Sequence, residues 1–166
     1  MHDTPTAGHA RQPTAVGVES TISSRTSGPV MATWAPLQTL SDAECLRLLT
    51  DKPMGRVAFW DSEGPHVLPV NHAVFQGDVV FRVAAHTQLA RGIRDGTVAF
   101  EVDDIEDVTQ SGWSVLVVGR PEYVEDPVAM SEIWGRRLPD AWAPGSRTLV
   151  IRIATQKISG RRIRPA

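Results

Sequence analysis

Residues 66–84 read HVLPVNHAVFQGDVVFRVA. Two β-rich runs flank Gln76-Gly77-Asp78, a hairpin turn signal. The first run, His66–Phe75, is interrupted by Pro69. Proline has no N–H to give to a ladder, so this strand is expected to be bulged or to lie at an edge. The second run, Val79–Ala84, leads to His86-Thr87-Gln88 at the start of a short helix over His86–Arg94, with Leu89 and Ile93 on one face. A helix start offers unpaired N–H groups and the positive end of the helix dipole. Thr87 adds a hydroxyl and Gln88 an amide, the makings of a phosphate cradle, although every helix start shares the backbone part of that description.

The neighbouring segments extend the pattern. Upstream, Ser41-Asp-Ala-Glu44 is a capping box that opens a helix through Cys45, Leu46, Leu48 and Leu49, closed by Pro53 and Gly55. Arg56–Trp60 is a strand, and Asp61-Ser-Glu-Gly64 turns it back into His66–Phe75. Downstream, Thr97–Ile105 alternates as a strand does, with Val98, Phe100 and Val102 on one side. A long strand follows over Gly112–Val124. Pro127 suits the first turn of a helix carrying Met130, Ile133, Trp134 and Leu138 at core spacing. The last strand is Thr148–Ala154, and KISGRRIR (Lys157–Arg164) closes the chain. Six strands joined mostly by hairpins pair antiparallel, because parallel pairs need long crossovers. The expected architecture is mainly β: a six-stranded antiparallel barrel or half-open barrel with short helices.

The 166 residues set the scale at one domain. Residues 1–33 contain no Leu, Phe, Tyr or Trp, so they read as a disordered N-terminal tail, and the folded domain is expected over 34–166. No apolar block follows a basic stretch near the start and no apolar run is long enough to span a bilayer, so neither a secretory leader nor a membrane partner is expected. A net charge of −2 argues against a nucleic-acid partner. Cys45 is the only cysteine, which excludes an intrachain disulfide and a cysteine-rich zinc site. Its expected role is that of a small buried hydrophobe. Together these features fit a cytoplasmic protein.

The common catalytic signatures are missing, among them G-x-S-x-G, H-E-x-x-H, G-x-x-x-x-G-K-[ST] and G-x-G-x-x-G. The catalytic residues are therefore unknown at this stage. His66 and His72 share one strand face about 20 Å apart at strand rise, too far for one metal ion, and both read as surface or interface residues. The acidic run Glu101, Asp103, Asp104, Glu106 and Asp107 lacks EF-hand spacing and reads as a solvated strand end, so no metal is expected. Arg161, Arg162 and Arg164 suit a phosphate, an acidic partner or simply a solvated terminus. Trp113, between Gly112 and Ser114, reads as a core or interface aromatic.

Taken together, GRVAFWDSEGPHVLPVNHAVFQGDVVFRVA, HTQLARGIRDGTVAFEVDDIED and GWSVLVVGRPEYV resemble the pyridoxamine 5′-phosphate oxidase-like, flavin-binding split-barrel family over roughly Leu40–Ile163. The resemblance implies FMN in a groove between two subunits. Leu68, Pro69, Val70 and Asn71 would run along the isoalloxazine ring, with a bulge at Pro69 exposing backbone groups to its polar edge. Phe81, Arg82, His86, Thr87 and Gln88 would hold the phosphate, with Arg82 its charge partner. Trp113 and Ser114 would approach from the other subunit. Relatives usually carry Lys or Arg where this chain has Thr87-Gln88. That loss is worth about 1–3 kcal/mol unless His86 or a C-terminal arginine substitutes.

Relatives also use a deazaflavin. The reading implied is an FMN-dependent oxidoreductase acting on a small organic substrate. Its alternatives are a non-catalytic flavin- or deazaflavin-binding module and a cofactor-free dimeric barrel. A homodimer is expected in each case, since open strand edges need cover and twofold pairing is the commonest way to supply it.

Overall fold

The structure is a computed structural model that describes residues 36–92, 96–135 and 145–165. The tail at 1–33, Trp34, Ile93, Arg94 and Leu138 lie outside the described residues. In chain order the elements are β1 (Leu37–Leu40), α1 (Asp42–Asp51), β2 (Met54–Asp61), β3 (Gly64–Phe75), β4 (Asp78–Val83), α2 (Gln88–Gly92), β5 (Val98–Glu106), β6 (Ser111–Tyr123), α3 (Pro127–Gly135) and β7 (Leu149–Ile163).

The hairpins follow the turn chemistry. Phe75 pairs with Asp78 across Gln76 and Gly77, whose φ angles of 53° and 88° are those of the tight turn that matches strand twist. Asp61 pairs with Gly64, and the Asp61 carboxylate accepts the Glu63 N–H at 2.8 Å, closing that turn from its own side chain. Every neighbouring pair is antiparallel. The ring runs β7-β4-β3-β2-β5-β6, and β6 pairs back onto β7, which closes a six-stranded barrel. β1 is an addition to that ring, paired with the far end of β7.

β7 is longer than expected. The register passes from Val118↔Lys157 to Gly119↔Thr155, so Gln156 is an extra residue on β7. Such a bulge bends its strand. Before it, β7 pairs with β4; after it, with β1. Asp78 accepts the Thr155 N–H at 2.9 Å and fixes the bend. KISGRRIR is thus mostly strand.

Phe59, Val79, Phe81, Phe100, Val102, Val115, Val117, Ile151 and Ile153 fill the barrel. α1 closes one end with Cys45, Leu48 and Leu49. The capping box forms as expected: Glu44 N–H donates to Ser41 Oγ, and the Glu44 carboxylate accepts the Ser41 N–H. Ser41→Ala is expected to cost about 1 kcal/mol in chemical denaturation; an unchanged midpoint would mean the cap contributes nothing. Gly55 does not terminate α1. It lies in β2, where a Cβ would fall 2.4 Å from Phe100 Cζ. A smaller core outside the barrel joins Phe75, Val80, Val150 and Ile133, the last from α3. Among the described residues no helix is long and apolar enough to cross a membrane.

Candidate functional site at the fork between two strands

β3 has 12 residues and β4 has 6, and their ladder ends at His72↔Phe81. From Gly64 to Asn71, β3 keeps β2 on one edge, in unbroken register, and among the described residues no strand pairs with the other. The His72 N–H donates to the Pro53 carbonyl at 3.0 Å, beyond the end of β2. Because peptide groups alternate along a strand, the groups of residues 65, 67, 69 and 71 then point to the open edge. Two of these are Pro65 and Pro69, which have no N–H to leave unpaired. Pro69 is therefore an edge residue in a regular register and not the bulge that the resemblance implied. The edge offers the N–H groups of Val67 and Asn71 and the carbonyls of Pro65, Val67 and Pro69.

Side chains alternate too. Leu68 and Val70 pack against the barrel core, while Pro69 is exposed and Asn71 faces outward, in step with it. The Asn71 carboxamide nitrogen is buried and has no hydrogen-bond partner among the described residues. Such a donor is expensive to bury unless something supplies an acceptor. One step beyond the last ladder pair, Arg82 on β4 stands level with Asn71. Its guanidinium lies over the Trp134 ring of α3, 4.9 Å from the centroid. The fork thus gathers Asn71, Arg82 and the open edge. Phe81 is fully buried in the barrel and pairs on both sides, so its side chain offers nothing to a ligand.

The turn before α2 is organised differently from a phosphate cradle. His86 is exposed. The Thr87 hydroxyl donates to the Ala84 carbonyl at 2.8 Å and accepts the Ala90 N–H at 3.2 Å, so it caps its own helix. The Tyr123 hydroxyl donates to the Ala90 carbonyl and pins α2. Gln88 turns towards acids: its amide nitrogen is 3.0 Å from Asp61 Oδ2 and 3.2 Å from Glu63 Oε2. His66 Nε2 is 2.8 Å from Asp61 Oδ1, and its ring stacks on Phe59. Burial works against ionisation of Asp61, yet the Glu63 N–H with His66 and Gln88 holds its carboxyl below the usual range. Asp61, Glu63 and Gln88 border a cavity of about 730 Å³ with Trp60 and Arg91. The partners of Gln88 lie 25 and 27 residues away, and the sequence carried no signal of them.

His72 corrects an expectation. It is neither a surface nor an interface residue but is 1% exposed, edge-on to Phe100. Its Nε2 donates to the Leu49 carbonyl at 2.9 Å and ties α1 to β3. Since that acceptor fixes the proton on Nε2, Nδ1 is bare, and it has no partner among the described residues. Burial pushes its pKa down. Cys45 is buried as expected, and that burial raises its thiol pKa. The acidic run has partners: Arg56 bridges Glu101 and Asp103, and Lys52 reaches Asp104.

Trp113 and Ser114 stand on β6, with two strands between it and β3 in either direction around the ring. Trp113 packs towards the core. Ser114 faces outward, 3.4 Å from Arg161 Nε, in a groove of about 380 Å³ shared with Glu101, Leu116 and Ser159. Arg162 lies 3.9 Å from Glu44. A single chain therefore does not bring these two residues to the fork.

Against known proteins, the sequence model of the family described as pyridoxamine 5′-phosphate oxidase matches residues 41–162. An uncharacterized protein of Mycobacterium tuberculosis, Rv0080, is 32% identical over 125 residues, 72% of this chain and 81% of the relative. The structure of the FAD-binding protein from Mycobacterium smegmatis superposes with a TM-score of 0.66 at 31% identity, over 76% of this chain and 98% of that one. A conserved protein of unknown function from Corynebacterium diphtheriae gives a TM-score of 0.65 at 25% identity, over 78% and 99% of the two chains.

Proposed function

This chain belongs to the pyridoxamine 5′-phosphate oxidase family, and we propose that it binds a flavin nucleotide, FMN, at the β3–β4 fork of a homodimer and acts as a flavin-dependent oxidoreductase on a small organic substrate. The observation that carries this reading is the edge of β3, open among the described residues, beside the buried Asn71 nitrogen, which has no partner among them. A flavin's pyrimidine edge alternates donors and acceptors. Val67 and Asn71 stand about 13 Å apart at strand rise, more than one pyrimidine edge spans, so the Asn71 N–H, the Pro69 carbonyl and the Asn71 carboxamide would answer that pattern. The M. smegmatis relative, which binds FAD, supports the flavin class.

Bound flavin would supply the hydride and electron chemistry, which explains why no triad is needed. The chain's own residues do the rest. The edge of β3 orients the ring, Arg82 offers charge to the phosphate, and Leu68 and Val70 keep the strand seated on its core. The homodimer supplies what one chain lacks. The outward faces of β2 and β3 expose Trp60 and Val67, at 71% and 61%, with Met54 and Pro69 alongside. Large exposed apolar groups clustered on one sheet face mark a contact surface. A second copy laid there would cover them and bring its own Trp113 and Ser114 towards the fork.

Absorbance and fluorescence titrations with FMN, FAD and the deazaflavin test the reading. The expected result is a flavin-like spectrum and a Kd of about 1 µM or tighter with FMN. If none of the three changes protein fluorescence or melting temperature, the reading fails. One observation favours a second reading, a flavin-binding module without turnover: the family's cationic position is Gln88, engaged with Asp61 and Glu63. Bound flavin that no reduced nicotinamide or other physiological donor reduces would select it.

A further inference from the structure

Resting on the flavin-nucleotide reading, we infer that His72 is a positioning residue for that site: its imidazole latches the end of α1 to β3 and thereby fixes the strand edge at Asn71 that meets the ligand.

The latch begins with a missing donor. In a continued helix the Leu49 carbonyl would accept the N–H of residue 53. Residue 53 is Pro53, which has none. The last carbonyls of a helix then need partners from elsewhere. His72 Nε2 donates to the Leu49 carbonyl at 2.9 Å, while the His72 backbone N–H donates to the Pro53 carbonyl at 3.0 Å. One residue of β3 thus answers both the end of α1 and the segment that leaves it.

Its place on β3 gives the latch a function. His72 pairs with Phe81 in the last rung of the β3–β4 ladder. Asn71 is the next residue, and its N–H and buried carboxamide are groups offered to the ligand. Adjacent residues of a strand turn their peptide groups to opposite edges. While the His72 N–H is held on the Pro53 side, the Asn71 N–H faces the open edge. A strand released at the end of its ladder is free to slip, and a slip of one residue reverses every group on it.

The surroundings keep the latch shut. The ring is 1% exposed and meets Phe100 edge-on at 4.8 Å. Turning it away from Leu49 would leave a donor and an acceptor unpaired at once in a buried place.

The full-length protein and its variants are titrated with FMN. His72→Leu fills a similar space without a donor. Its Kd should rise about tenfold, as when the competent fraction of the edge falls to about a tenth. His72→Gln keeps an N–H for the Leu49 carbonyl and should stay within about threefold of wild type. Ser41→Ala weakens α1 at its other end, away from the latch, and should leave the Kd unchanged.

Reciprocity supplies a measurement on the unaltered protein. If the latch favours the ligand, the ligand favours the latch by the same factor, so saturating FMN should slow exchange of the His72 Nε2–H about tenfold, read by NMR from the imidazole N–H signal. Melting temperatures confirm that each variant is folded, and this exchange carries the test if His72→Leu is not.

Unchanged affinity in His72→Leu would reduce the imidazole to a structural tie and overturn the proposal. So would equal losses in His72→Leu and Ser41→Ala, affinity in His72→Gln as poor as in His72→Leu, or an Nε2–H that exchanges equally fast with and without FMN. Wild-type protein that binds no FMN refutes the flavin reading itself, a result distinct from tight binding that ignores His72.

Discussion

Phe100→Ala is expected to lower the melting temperature by roughly 10–20 °C, the equivalent of about 3–5 kcal/mol. The ring is fully buried near the middle of the barrel. It stacks on Phe81 at 6.5 Å and meets His72 edge-on at 4.8 Å. It also lies over the backbone of Gly55, where a Cβ would come within 2.4 Å of its Cζ. Three strands and, through His72, α1 therefore converge on one side chain. Removing it opens a cavity that rigid strands on all sides cannot close. Phe100→Leu should cost far less, because a compact apolar group refills most of the space. Thermal unfolding followed by circular dichroism reads both. A drop of only a few degrees for the alanine variant would mean that the barrel interior is looser than described.

Acidification is the second large effect. His72 is neutral in the fold, with its pKa lowered by burial, but is free to protonate once unfolded. The unfolded chain thus binds more protons than the folded one below about pH 6.5. The sign follows: stability is fully present above that pH and declines as pH falls below it. The slope approaches about 1.4 kcal/mol per pH unit until the depressed folded pKa is reached. His72→Gln keeps an N–H donor for the Leu49 carbonyl and removes the titration. Denaturation midpoints at pH 7.5 and 5.5 should fall apart in the wild type and stay close in the variant. Equal pH dependence in both would show that His72 does not govern it. Asp61 and Glu44, with lowered pKa values, titrate below this window, while Glu101, raised by burial, shifts towards it with the opposite sign, so the comparison with His72→Gln isolates the histidine.

Much of the barrel was legible because its signals are local. Gln76-Gly77 requires positive φ, Ser41 and Glu44 cap each other, and Val98, Phe100 and Val102 alternate. The extension of β7 was not legible. The extra residue at Gln156 breaks the alternation between Ile153 and Ile158, so the run reads as ending where it only bends. His72 was misjudged for a related reason. It shares a face with His66, but β3 crosses from the hairpin rim to the barrel interior, and one strand face then holds a half-buried and a fully buried histidine.

At the site, Asn71 and Arg82 were legible as candidates, whereas their alignment at the end of a ladder was not. Strand length alone decides where β4 stops covering β3. Trp134 read only as a core aromatic, because nothing in a sequence links it to a residue 52 positions away on β4. Gln88 was misleading for the same reason: its partners arrive through the β2–β3 hairpin.

Amide hydrogen exchange, resolved to single residues, is the closest test of the β3 edge as the flavin seat. Without ligand, the Val67 and Asn71 N–H groups should exchange quickly, while the His72 N–H, bonded to Pro53, exchanges slowly. Saturating FMN should slow Asn71 by at least about tenfold, as a new hydrogen bond to its N–H requires. Tight FMN binding with the Asn71 amide still exchanging at its free rate would place the ring elsewhere and contradict the account.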